Sequence, residues 1–142
     1  MLVFPSPEWV AAWVDLANSD KAFRSAGAGW DGVAGGVIEA YTAAGVGADL
    51  YLRLAGRDGC WHEHALATDA RLVDDAVFTI RGPYLAWKSV IRQQLHPVRG
   101  VVQGRLRLRG QLSGFLRWSR ALVIMTELAG RLDTAFADEE RR

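Results

Sequence analysis

The sequence is defined first by what it lacks. A single cysteine, Cys60, among 142 residues excludes an intrachain disulfide framework and suits a reducing compartment. Apolar runs are broken by Asp15, Asp31, Glu39 and Asp49, and none approaches the length of a membrane-spanning helix. Charge of one sign is also missing. With 17 basic and 16 acidic residues the net charge is +1, so no global field recruits nucleic acid or a strongly anionic surface. The opening MLVFPSPEW has neither a basic stretch nor a small-residue cleavage site, and no signal peptide is expected. Catalytic motifs are absent as well: there is no G-x-S-x-G elbow and no phosphate-binding loop. Asp74-Asp75 and Glu139-Glu140 are sequence neighbours, which do not share a face. Gly32, Gly35 and Gly36 lack the G-x-G-x-x-G spacing of a dinucleotide loop. A single cytoplasmic domain over residues 1–142, without catalysis or cofactor, is the expectation.

Aromatic residues are what the chain does have. Six tryptophans exceed what a core of this size requires, and large rings leave irregular gaps that a ligand can fill. Ser6, Pro7 and Glu8 form an N-terminal helix signal, followed by Trp9, Trp13 and Leu16 on one stripe. Asn18-Ser19-Asp20 starts a second short helix that ends near Gly27. From Trp30 the period changes to two. Strands are predicted over Gly32–Thr42, around Leu50, Leu52 and Leu54, and from Cys60 to Ala67, with Asp58-Gly59 at a hairpin tip. Gly35 and Gly36 in mid-strand are costly unless something approaches the backbone there. A fourth strand runs from Ala76 to Gly82, and a helix opening at Pro83 carries Trp87 and Ile91 until His96-Pro97 stops it. A fifth strand, Gln103 to Arg109, leads into one long helix from Leu112 to Leu132 and a solvated tail, Asp138 to Arg142.

This order of elements, with its glycines and prolines, resembles the sterol carrier protein type 2 family. The resemblance is carried by Ile80-Arg81-Gly82, the helix with Trp87 and Ile91, Leu95-His96-Pro97, and the strand bracketed by Gly104 and Gly110. Upstream, Gly29-Trp30-Asp31-Gly32 and Asp58-Gly59 fall at matching places. The resemblance implies an α+β fold, with a five-stranded mostly antiparallel sheet covered on one face by helices and an apolar cavity between the layers. It also implies non-catalytic binding of a fatty acyl, phospholipid or sterol-like ligand. Some members are instead dimerising or accessory modules.

The candidate cavity wall comprises Trp87, Ile91, Phe115, Trp118, Leu122 and Met125, a mixture of rings and methionine that adapts to varied ligand shapes. Plain core packing is the competing reading of the same periodicity. Burying an eighteen-carbon chain supplies on the order of 10 kcal/mol gross, which requires no polar motif. Ile124 falls in the charged stripe of the last helix, where it is either an ordinary lone exposed isoleucine or, on the sharper reading, a homodimer contact or a portal lip. Arg105, Arg107 and Arg109 line one face of a strand. They either guard a sheet edge or make weak, transient contact with anionic headgroups. Cys60, His62 and His64 at alternate strand positions offer a metal-site alternative, with His96 or Glu63 as further ligands.

Overall fold

A computed structural model describes residues 1–140. Its elements are β1 (Leu2–Phe4), α1 (Pro7–Ser19), α2 (Lys21–Ala26), β2 (Asp31–Glu39), β3 (Leu50–Arg57), β4 (Cys60–Ala67), β5 (Phe78–Pro83), α3 (Tyr84–Ile91), α4 (Pro97–Val102), β6 (Arg107–Gly110), α5 (Leu112–Arg117), α6 (Ser119–Ala129), β7 (Thr134–Phe136) and α7 (Ala137–Glu140). Five strands form one mixed sheet in the order β4-β3-β2-β5-β6. All neighbours are antiparallel except β2 and β5, which run parallel.

Local chemistry places most of these elements. The Ser6 hydroxyl accepts the Trp9 N–H at 3.1 Å and starts α1, while the Asp20 carboxylate accepts the Phe23 N–H at 2.8 Å and starts α2. Asp58 and Gly59 both take positive φ, 52° and 76°, the geometry of a two-residue hairpin turn. The apolar faces of α1, α3 and α6 then bury Trp9, Val14, Tyr84, Ile91, Met125 and Leu128 against Ile38 and Leu54 of the sheet. Each large side chain removed from water contributes roughly 1.5–3 kcal/mol.

Several sequence expectations need correction. The helix carrying Trp87 ends at Ile91, well before His96, because Gln93 adopts a positive φ of 61°. The Gln93 side-chain amide donates to the Thr126 and Ile91 carbonyls. Pro97 does not merely stop a helix: it opens α4, with His96 Nδ1 accepting the Val98 N–H. Residues before Arg107 are tied back to α4 by the Leu106 N–H to the Gly100 carbonyl, so β6 keeps only four residues. The second strand ends at Glu39 rather than Thr42. The last helix is not continuous. Trp118, at φ −104° and ψ 12°, separates α5 from α6. That break lets Phe115 enter the core with Phe78 and Leu106, while the residues after it turn toward the sheet's centre.

The C-terminal segment is docked rather than solvated as far as it is described; the rest of the expected tail lies outside the described residues. β7 pairs in parallel with β1. Asp138 on α7 accepts the Tyr84 hydroxyl at 2.7 Å and the Lys88 ammonium at 2.9 Å. Burial works against the charge on Asp138, but the Lys88 and Tyr84 hydrogen bonds outweigh it, and the carboxyl titrates below its ordinary range.

Candidate functional site

The central strand β2 supplies the floor of an apolar gap between sheet and helices. Gly36 has no side chain to fill the space above it; a Cβ there would stand 3.5 Å from Leu52. Gly35 serves the other face, where a Cβ would press on Thr79 Oγ1 at 2.7 Å and on Val73. The two mid-strand glycines therefore admit neighbours on opposite sides of the sheet.

The gap measures about 100 Å³, with Leu52, Leu54 and Ile80 below and Trp118, Leu122 and Met125 of the α5–α6 region above. Trp13, Phe23, Trp30, Trp61 and Trp87 close its sides. Among the described residues no charged one lines it. Thr126 contributes a hydroxyl that already donates to the Val123 carbonyl at 2.8 Å. Cys60 is the exposed member of the lining, beside the tip of the β3–β4 hairpin. That tip lies against the end of α2, where a Cβ on Gly27 would meet the Gly59 Cα at 2.8 Å. A second gap of about 50 Å³ lies deeper, lined by Phe4, Trp9, Val90 and Ile91. Both share Trp13, Gly36, Leu52, Trp87 and Thr126 as wall.

The rings of the wall are edge-packed. Trp30 meets Trp118 at 5.4 Å and 90°, and Trp61 at 6.3 Å and 69°; Phe23 stacks on Trp61 at 5.9 Å. Four indoles are fixed by hydrogen bonds: Trp9 to Thr134, Trp13 to the Met125 carbonyl, Trp30 to the Gly32 carbonyl and Trp87 to the Val37 carbonyl. Trp61 differs. Its Nε1 is buried and finds no acceptor among the described residues, a costly state for a donor.

Of the six sequence candidates, Trp87, Trp118, Leu122 and Met125 line the larger gap and Ile91 the smaller. Phe115 lines neither; it is 1% exposed and packs edge-on against Phe78 at 5.8 Å. Sequence reading passed over Trp30, Trp61 and Gly36 as wall. The mid-strand glycine pair was the available signal for Gly36, and nothing in the local pattern distinguished Trp61 from a core ring.

Cys60, His62 and His64 do not form the expected row. A bulge lies between Ala55 and Gly56, whose partners Glu63 and Trp61 skip His62. It reverses the alternation. Trp61 turns to Phe23 and Trp30, while Glu63 two residues on bonds Arg53 on the outer face. Among the described residues no three His, Cys, Asp or Glu side chains gather to hold a metal. Ile124 is only partly exposed and packs on the core. No helix among the described residues is long and apolar enough to cross a membrane.

Neither a protein-family profile nor a curated protein sequence matches the chain. Solved structures do. A crystal structure of sterol carrier protein 2 superposes with TM-score 0.79 at 20% identity, over 87% of this chain and 95% of that one. A conserved hypothetical protein from Thermus thermophilus, described as possibly a sterol carrier protein, gives 0.81 at 19% identity, over 92% and 90%. A palmitated sterol carrier protein 2-like protein from Aedes aegypti gives 0.51 at 14% identity, over 84% and 94%. The sheet order, the covering helices and these superpositions together identify the fold as that of sterol carrier protein 2.

Proposed function

We propose that the protein binds and carries an amphiphilic lipid, without chemistry, between the sheet and α5–α6. The observation that supports this most is the charge-free gap over Gly36, walled by rings from both layers, in a fold whose solved examples include a palmitated protein. Burial in such a wall favours an alkyl chain by about 0.8 kcal/mol per methylene. The unpaired Trp61 N–H favours a ligand that also carries an acceptor, such as a carboxylate or ester carbonyl.

The gap is smaller than the roughly 300 Å³ at which small-molecule pockets begin. Uptake of a long chain therefore requires the shared wall at Trp13 and Trp87 to open, joining the two gaps. The same smallness favours a second reading, an accessory or dimerising module whose own side chains fill the space.

Native mass spectrometry of freshly purified protein, followed by organic extraction, separates the two. The carrier reading expects a bound species that extracts as a lipid, or adducts when fatty acid or phospholipid is added. A bare mass that does not respond to either, at the mass of a dimer, is the outcome of the module reading.

A further inference from the structure

From Ala76 to Thr126 the chain carries nine arginines and lysines and neither aspartate nor glutamate. The near-neutral total conceals this asymmetry, because every acidic residue lies outside that stretch. Four of the nine cations are paired: Arg81 and Arg107 with Glu39, and Lys88 and Arg92 with Glu139. Arg99, Arg105, Arg109, Arg117 and Arg120 have no carboxylate partner among the described residues and are exposed.

Two of those free cations, Arg117 and Arg120, sit at the end of α5 and just beyond it, and α5 also turns its leucines outward. Leu112 is 58% and Leu116 56% exposed, one helical turn apart and therefore on one side of the helix. Phe115 between them points inward and fixes the helix to Phe78. The next residue along the surface is Trp118, half-buried, with the Arg117 guanidinium 5.2 Å from its ring. Trp118 also walls the larger gap. On its far side the acidic residues resume: Asp58 accepts the Gly29 N–H and Asp31 lies near Arg57, so the patch is bounded.

We infer that α5 is a docking surface for a bilayer containing anionic phospholipid. Leu112 and Leu116 enter the interfacial region, Arg117 and Arg120 meet the phosphates, and Trp118 sits at headgroup depth. Outward leucines among cations, with an indole at their border, match the apolar interior and charged rim of such an interface. Nucleic acid offers equal charge but nothing for the leucines. The docking face abuts the wall of the gap, so a lipid passing beside Trp118 would move between bilayer and protein without crossing water. This inference rests on the lipid-carrying reading and deepens it.

The test is co-sedimentation of the full chain with phosphatidylcholine vesicles, with and without about a third phosphatidylserine, at about 50 and about 300 mM salt. The expected result is binding to the phosphatidylserine vesicles at low salt that drops about tenfold at high salt. Leu112→Ser with Leu116→Ser, and separately Arg117→Gln with Arg120→Gln, should each weaken it about tenfold. Arg71→Gln, on the outer side of the sheet, should leave it unchanged. Equal binding to both vesicle types, full binding by the leucine variant, or leucine-independent binding to duplex DNA of similar strength would each overturn the inference. Palmitate uptake by the same variants separates the two readings. A protein that takes up palmitate but ignores vesicles fails here alone, and one that docks but holds no palmitate fails only as a carrier.

Discussion

A buried indole N–H without an acceptor costs roughly 1–3 kcal/mol, and four tryptophans here avoid that cost by bonding to protein oxygens. Trp61 does not, although its backbone is held on both sides by the Asn18 side-chain amide at 2.8 Å. The backbone is thus fixed while the ring's one polar atom is left for something else. Trp61→Phe keeps a ring against Phe23 and removes only the donor and some area. Without ligand the variant is expected to melt at or slightly above the parent temperature. Its affinity for palmitate, measured by calorimetric titration, should fall about tenfold to a hundredfold, the value of one hydrogen bond to a charged group. An unchanged affinity would mean that the indole N–H takes no part in binding.

At the scale of elements, the C-terminal β7–α7 segment is held by one polar cluster. Lys88 is 12% and Asp138 15% exposed at the side chain, and burial opposes charge on both. Their mutual contact outweighs that opposition, so the carboxyl is depressed and the ammonium raised. A depressed carboxyl contributes stability that is complete above its unfolded value of 3.8 and is lost as pH falls through the lower folded value. The acid transition should therefore begin with undocking of α7. Asp138→Asn, which leaves the Lys88 ammonium with Glu139 alone, is expected to cost about 1–3 kcal/mol at pH 7. The difference from the parent should shrink as pH falls below 3.8 toward the lower folded value, and so be smaller at pH 3 than at pH 7. Thermal melts at the two pH values would show it, and an equal loss at both would argue that the cluster packs rather than pairs.

The same segment shows where sequence reading runs out. Helix starts at Ser6 and Asp20 and the Asp58-Gly59 turn were legible because each depends on residues within three positions. The role of Asp138 depends on Tyr84, more than fifty positions away, and an acidic tail otherwise reads as solvated. The bulge at His62 belongs to the same class. It is set by how β4 meets β3, and by shifting the alternation it turned an expected ligand row into a wall tryptophan and an outward glutamate. The break at Trp118 had no glycine or proline to announce it. Family resemblance was legible because it rests on spacing over the whole chain. The gap was signalled by the excess of tryptophan, by the resemblance and by the unfavourable glycines at 35 and 36.

At the scale of the whole molecule, sheet and helices are two layers held apart over Gly36. Elsewhere rings and aliphatic side chains fill the interface; over Gly36 they do not, and both gaps open onto that residue. Gly36 has no positive φ, and a Cβ there meets Leu52 at ordinary contact distance. Gly36→Val therefore adds volume to the gap in a residue type that strands prefer. The most direct measurement is titration of delipidated parent and Gly36→Val proteins with palmitate, followed by tryptophan fluorescence beside a thermal melt. Saturable binding by the parent, lost or weakened at least about tenfold in a variant that melts no lower, is the predicted result. Equal binding by both proteins, or none by the parent, would contradict a lipid site between the sheet and its helices.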